Sequence, residues 1–433
     1  MGDAMDSKSA RFPRAVPPAG VRETSSLPFW GERVHPAKPT LLFYSGNQDA
    51  TWGAQVVRSS LAQALSTRFR VVVAGDCAAG VAAQASAIQT IPLPALGSPA
   101  AARDRRRILV SSCATLQPRV IVIEQYPFGD LHLGPEILHL LEASTANIRT
   151  PLVVSSVRQM PDSDALLCAE IHAARVAADA YFDAVLVHAD PTISRMPEDA
   201  LNGDSRWSAP VRYTGFISAD PRGPAETPNQ PLADGGEIVV FGEGGGGHDR
   251  LCHVAVDACA HLDAADRLPM RIIAGASMPD ADYASLQKAA AGMAGVFVER
   301  TVSDVRSLLA TAAVAVSHCT YPLLDVVRAR VPALVVPTIA GDDTSTMRAR
   351  RLAEIGAVRI VEPEWLDGPA LACQIAATIG FAPQRVDLDL SGAHATVRFL
   401  SSLVDAANRF SAAGSDASRF TPVHSWQTTR FRT

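Results

Sequence analysis

The sequence predicts an α/β protein built from two doubly wound, Rossmann-like parallel-sheet domains that face a cleft. Three observations carry that reading. Short, continuous, β-branched apolar runs alternate with helical stretches, the pattern of parallel strands buried on both faces. The pattern also starts twice. Leu41-Leu42-Phe43-Tyr44 and Ile238-Val239-Val240-Phe241 begin 197 positions apart, and each leads through a glycine-bearing loop into a helix. Between the two halves, residues 218–235 hold four prolines and almost no apolar residues, which reads as a linker.

Residues 1–38 are rich in Pro, Ser and charge with no apolar h-region, and read as a disordered tail without a secretory signal or anchor. In the first domain (39–217) strands are expected at 39–44, 69–74, 120–123, 152–155 and 183–188. A helix over 55–67 carries Val57, Leu61 and Leu65 at the four-residue spacing of one face. In the second domain (236–390) strands are expected at 237–241, 270–274, 295–298, 313–317, 333–336 and 358–361. Helices fit between them near 251–262, 280–293, 304–311, 322–330 and 344–355. The helix at 391–410 is expected to return to the first domain, and 411–433 to fray.

The most informative segment is Phe241-Gly242-Glu243-Gly244-Gly245-Gly246-Gly247-His248, between a strand and a helix. Consecutive glycines let the backbone approach an anion, and the helix N-terminus behind them offers unpaired N–H groups and a positive dipole end. The ligand expected there is a phosphate; the plain alternative is a flexible loop.

Composition narrows the classes. A chain of 433 residues, 48% hydrophobic, can fill two cores. A net charge of -5 with no basic stripe argues against a nucleic-acid partner. Seven scattered cysteines with no C-x-x-C pair suggest reduced thiols and a cytoplasmic protein. No apolar run approaches the roughly 18 residues of a membrane span.

The second half resembles the C-terminal domain of MurG-like glycosyltransferases, which have the GT-B fold. The resemblance rests on Val298-Glu299-Arg300, Asp304, Leu308-Leu309-Ala310, Ala315-Val316-Ser317-His318, Tyr321, Asp325, Val331 to Pro337, Arg348 to Leu352 and Gly356. The first half looks like a related bacterial group through Glu124 to Gly129, Pro151 to Arg158, Val187 to Pro191 and Val211 to Gly215. The resemblance implies a hexosyltransferase, metal-independent and inverting, using a nucleotide-diphosphate sugar (a UDP-sugar favoured) as donor substrate, with no resident cofactor. Carried over by position, Gly244, Gly245, Gly246, Gly247 and His248 would face the diphosphate. Arg300 would lie near the base, Asp325 would hold the ribose hydroxyls, and His318 and Tyr321 would line the donor site. The acceptor stays unidentified; a lipid-linked one would add a peripheral membrane contact.

The chain departs from the family pattern at three places. Gly53-Ala54 falls where a Gly-His is usual, Cys319 to Leu323 replaces a Gly-Gly-Tyr-Asn-Thr stretch, and Thr344-Ser345 replaces a Glu-Gln pair. For the base that deprotonates an acceptor, Glu124 at a strand end is the first candidate and Asp49 the second, each weighed against turn chemistry. Closure of the cleft is expected to raise the Glu124 pKa. His188 is either a cleft residue or structural. Arg158 and Arg300 suit phosphate or salt bridges, and Arg348 and Arg351 read as solvated. His248, His253 and His318 lack metal-ligand spacing.

Three other readings compete. One is a catalytically degenerate, glycosyltransferase-like partner or sugar-nucleotide-binding protein. Another is a sugar-nucleotide epimerase. The last is a nicotinamide enzyme, weakened because Ile273 to Ser277 offers no acid for a ribose.

Overall fold

The computed structural model describes residues 38–46, 52–76, 88–128, 131–158, 176–177, 179–194, 209–218, 236–242, 249–263, 266–302, 304–319, 322–337 and 343–412. They form two all-parallel sheets. The first has seven strands in the order β3-β2-β1-β4-β5-β6-β7: β1 Thr40–Ser45, β2 Arg70–Gly75, β3 Gln89–Pro92, β4 Val120–Glu124, β5 Leu152–Val157, β6 Ala184–Val187 and β7 Val211–Tyr213. The second has six in the order β10-β9-β8-β11-β12-β13: β8 Glu237–Phe241, β9 Met270–Ile273, β10 Val296–Glu299, β11 Ala312–His318, β12 Ala333–Val336 and β13 Arg359–Ile360. Each order reverses once, between β1 and β4 and between β8 and β11. This is the doubly wound architecture expected from the sequence.

The central strands β1, β4 and β8 are buried almost throughout, which explains their unbroken apolar sequences. The helices α1 Trp52–Ser66, α2 Pro99–Leu116, α3 Gly134–Ser144, α4 Asp249–His261, α5 Asp280–Ala290, α6 Val305–Leu309, α7 Pro322–Ala329, α8 Asp343–Glu354 and α9 Gly368–Thr378 lie between and after the strands. Capping sets several starts. Ser98 accepts from Ala101 N (3.1 Å) before α2, and Asp367 accepts from Ala370 N (2.8 Å) before α9.

Two strands escaped the sequence reading. β3 is exposed or half-buried along its length, and β7 has only three residues, so neither presents an apolar run. Helices α2, α3 and α9 were also not anticipated. In α2 four arginines and an aspartate blur the periodicity, yet one of those arginines, Arg105, is fully buried. It pairs with Glu136 of α3 at 2.8 Å, with Asp76, and with the Pro94 carbonyl at 2.7 Å.

The chain crosses back from the second half to the first near its end. Residues 386–391 run beside 214–218. Phe216 N donates to Asp389 O (2.7 Å), Gly392 N donates to Phe216 O (3.1 Å), and Ile217 and Ser391 form an antiparallel bridge. Asp190 fixes this crossing by accepting from Asp389 N at 3.0 Å. The final helix, α10 Gly392–Ala412, then lays Val397, Leu400 and Val404 against Leu61 and Leu65 of α1. A separate apolar cluster spans both sheets, from Val157, Val187 and Phe216 to Phe241, Leu323 and Leu324.

At Gly392 a Cβ would stand 2.3 Å from the Gly215 carbonyl oxygen, a backbone atom that cannot turn away. Gly392→Ala is therefore expected to push the two crossing strands apart and cost about 1–3 kcal/mol, the usual scale of overpacking. A lowered melting temperature in calorimetry checks this.

Candidate functional site

In doubly wound sheets ligands bind beyond the strand C-termini, where the strand order reverses. In the first sheet that place belongs to Glu124, the last residue of β4. It is only 2% exposed. Ser45 Oγ at the end of β1 donates to Oε2 (2.6 Å), Arg58 Nε of α1 donates to the same oxygen (2.7 Å), and Arg158 Nε lies 2.9 Å from Oε1. Burial alone would raise the carboxyl, but the Arg58 and Arg158 guanidiniums and the Ser45 bond outweigh it and hold Glu124 below the ordinary glutamate range. The expectation of a raised pKa is corrected on that ground. Glu124 is a clamped anion, weakly basic, with both oxygens occupied.

Next to it lies His188, just beyond β6 and 3% exposed. Its Nε2 is 2.8 Å from Ser156 Oγ and its Nδ1 2.8 Å from Thr214 Oγ1. The Thr214 hydroxyl reaches the Gly215 carbonyl at 3.1 Å and can donate there. Nδ1 then carries the proton donated to Thr214, and Nε2 accepts from Ser156. Burial, aided by Arg158 and opposed by Glu124, pushes the imidazole down to about 3. A neutral His188 thus ties the ends of β5, β6 and β7 together.

The second edge begins at Gly242. A Cβ there would sit 2.5 Å from Cys252 Sγ and 2.9 Å from the Ala274 carbonyl oxygen, so glycine is needed for the turn to pack. A narrow crevice opens beside it, lined by Phe241, Gly242, Gly275, Ala276, Thr301 and Pro322 among others, with about 10 Å³ of free space. A nucleotide would have to open it further.

Arg300 borders this crevice, but its guanidinium turns toward α5. It donates to the Met278 carbonyl and to Asp280 (both 2.7 Å) and stacks over the Tyr283 ring at 4.3 Å. Of the two readings of Arg300, phosphate ligand or salt bridge, the described residues display the salt bridge, to Asp280. Glu299 is likewise committed, to Arg271. Arg348 is not solvated as expected. It is 8% exposed and lies over the Phe216 ring at 5.6 Å, whereas Arg351 is exposed and pairs with Glu354.

His318 ends β11 with Nδ1 2.9 Å from the Val336 carbonyl, which fixes the proton on Nδ1. Asp325 sits in the first turn of α7, 4% exposed, and makes no hydrogen bond or ion pair among the described residues. Burial pushes its carboxyl up to about 6 in spite of Arg328 and Arg306.

Asp49, Gly244 to His248 and Tyr321 lie outside the described residues. Ala54, at the position of the family histidine, is a packed residue of α1, 1% exposed. Sequence reasoning missed Arg58 and Ser45 as partners of Glu124. One signal was present: Arg58 lies three and seven residues before Leu61 and Leu65, on the stripe that α1 buries.

Two outcomes follow from these charges. Glu124→Gln leaves two enclosed guanidiniums facing no anion and should cost about 3–5 kcal/mol, read as a lower urea midpoint. Because the folded carboxyl is depressed, the stability it supplies is complete above the ordinary glutamate range and fades as pH falls through the lower folded value. Asp325 has the opposite sign. The folded protein binds its proton more tightly than the unfolded chain, so the ionised group weakens the fold above pH 6. Asp325→Asn should raise the melting temperature at pH 8 by the equivalent of about 1–3 kcal/mol, with the gain shrinking toward pH 5.

No protein-family model matches this chain. No curated protein matches it either. Solved structures do match. The MurG of Acinetobacter baumannii superposes with a TM-score of 0.51 at 15% identity, covering 84% of this chain and 100% of that one. The glycosyltransferase VinC, solved in complex with dTDP, gives 0.51 at 15% identity over 86% and 100%. A putative UDP-N-acetylglucosamine 2-epimerase from Listeria monocytogenes gives 0.56 at 10% identity over 86% and 98%. At such identities the likeness establishes architecture: this chain has the GT-B fold, two facing parallel-sheet domains with the last helix returned to the first.

Proposed function

We propose that this protein is a glycosyltransferase that takes a hexose-type sugar from a nucleotide-diphosphate sugar, a UDP-sugar favoured. The observation that carries the reading is Asp325. An aspartate 96% buried, with no hydrogen bond or ion pair among the described residues and a carboxyl pushed up to about 6, stands at the switch-point edge of the second sheet. A carboxylate suits vicinal ribose hydroxyls because each oxygen can accept one hydrogen bond. The neighbours with this fold include one solved with dTDP and one described as acting on a UDP-sugar, which supports a pyrimidine nucleotide donor.

In this reading the glycine loop 244–248, at the start of α4, receives the diphosphate and stabilises it as a leaving group through backbone N–H groups. His318 and Tyr321 line the donor site. Glu124 holds Arg58 and Arg158 in place at the facing edge, and Asp49 becomes the candidate base for an inverting displacement. The donor is a substrate, and no resident metal or cofactor enters the reading. A lipid-linked acceptor would place the protein at a membrane surface, although no described helix is long and apolar enough to cross one.

A second reading is favoured by one specific observation. Glu124, the carboxylate at the end of β4 in the first sheet, is clamped by two guanidiniums, which suits a sugar-nucleotide-binding protein without turnover. Thermal-shift screening against UDP-, dTDP- and GDP-sugars separates the outcomes. The expected result is a rise in melting temperature with a UDP-sugar, together with sugar transfer or hydrolysis. Stabilisation without turnover on any acceptor panel selects the binding-protein reading. No shift with any nucleotide-sugar overturns both.

The Asp325 assignment predicts a pH signature. Affinity for the nucleotide-sugar should fall as pH drops through about 6, because protonation removes one of the two accepting oxygens. Asp325→Asn should weaken binding by about ten- to a hundredfold, the scale of hydrogen bonds to a charged group, and flatten that pH dependence. Titration calorimetry at pH 5 and pH 8 measures both.

A further inference from the structure

Away from the donor crevice, where the chain crosses between the domains, a hollow of about 690 Å³ opens. Its walls come from the C-terminal end of α7, from the returning segment at 385–391, and from Ser218 just beyond β7. Asp325 lies in the first turn of that same short helix, α7, and Val327 and Arg328 of its last turn line the hollow.

Three arginines line this hollow: Arg328, Arg330 and Arg385. None of them makes a hydrogen bond, an ion pair or a ring contact among the described residues. All three are exposed, unlike several arginines that lie deeper in the fold. Arg58, Arg105, Arg158 and Arg271 each pair with a carboxylate. Two aspartates, Asp387 and Asp389, also face the hollow. The Asp389 carboxylate already accepts from Ser391 N at 2.9 Å. Three guanidiniums against two carboxylates leave the wall net positive, in a chain whose overall charge is -5. Arg330 closes α7 with a left-handed backbone, φ 58°, a position that usually takes glycine or asparagine.

We propose that this hollow is a binding site for a small soluble polyanion of the phosphate class, such as a diphosphate or a bis-phosphorylated metabolite. A guanidinium presents a planar fork that matches phosphate oxygens bidentately, and three such forks around one concavity suit a ligand with several phosphate oxygens. The concave shape favours a soluble ligand over a flat lipid surface. Since one wall belongs to the second domain and another to the segment that leads back to the first, a ligand there would brace the crossing. The proposal does not require the protein to be a glycosyltransferase, although Arg328 of the hollow also acts electrostatically on Asp325.

The test is titration calorimetry of the full chain with inorganic pyrophosphate at constant ionic strength, alongside the Arg330→Gln/Arg385→Gln variant. Expected is saturable binding that weakens at least tenfold in the double variant. Both side chains are exposed and make no ion pair among the described residues, so the variant should keep the melting temperature of the unliganded protein. If it does not, Arg385→Gln alone, outside any helix or strand, should still weaken binding severalfold. Equal binding by the native protein and the variants overturns the proposal, as does no binding at all. Retention on phosphatidic-acid vesicles without binding of pyrophosphate overturns the assignment to a soluble ligand.

Discussion

The structure depends on how two all-parallel sheets deal with charge. Strands buried on both faces have no wet side, so polar side chains gather at the strand ends, and any that are enclosed need partners. The described residues follow this rule closely. Glu124 sits between Arg58 and Arg158, Glu136 and Asp76 hold Arg105, and Glu237 and Glu299 hold Arg271. Asp190 is satisfied by Asp389 N and by Thr192. Replacing such pairs with apolar residues can be neutral for stability, whereas breaking one is costly. What they supply here is position. Each tie joins a strand end to a helix or to a neighbouring strand, and together they hold the two edges in place.

Against this background Asp325 stands apart. Its enclosure resembles that of Glu124, but Arg328 and Arg306 act on it only from a distance, with no ion pair among the described residues, and the two carboxyls move in opposite directions from their ordinary values. Burial raises both; only Glu124 has close cations to reverse the effect. Among the described residues, leaving this buried carboxyl without a close partner costs stability at neutral pH.

The fold was largely legible in the sequence and the site was not, for a physical reason. Parallel strands advertise themselves locally: Leu41 to Tyr44, Val120 to Ile123 and Ile238 to Phe241 are runs that only a doubly covered strand explains. The edge strands β3 and β7 carry no such run because one side meets solvent or a loop. Charge partnership is a long-range property. Arg58 and Glu124 are 66 positions apart, and nothing near either residue names the other. Glu124 was therefore visible as a strand-end carboxylate but not as a clamped one, and Arg300 as a cation near the crevice but not as one stacked on Tyr283. Sequence placed both side chains on the correct edge without revealing which way they turn.

The return of α10 to the first domain has a consequence for synthesis. Because Val397, Leu400 and Val404 complete the core under α1, the first domain is discontinuous in the chain, and the second is in effect inserted between β7 and α10. As the polypeptide leaves the ribosome, α1 emerges early and can meet β1, β2 and β4, but the helix that completes this cluster follows more than three hundred residues later. The inserted domain can complete its own sheet during that interval, while the first domain waits with one side of this cluster open. Chaperone demand during translation should therefore concentrate on the half of the protein that is made first.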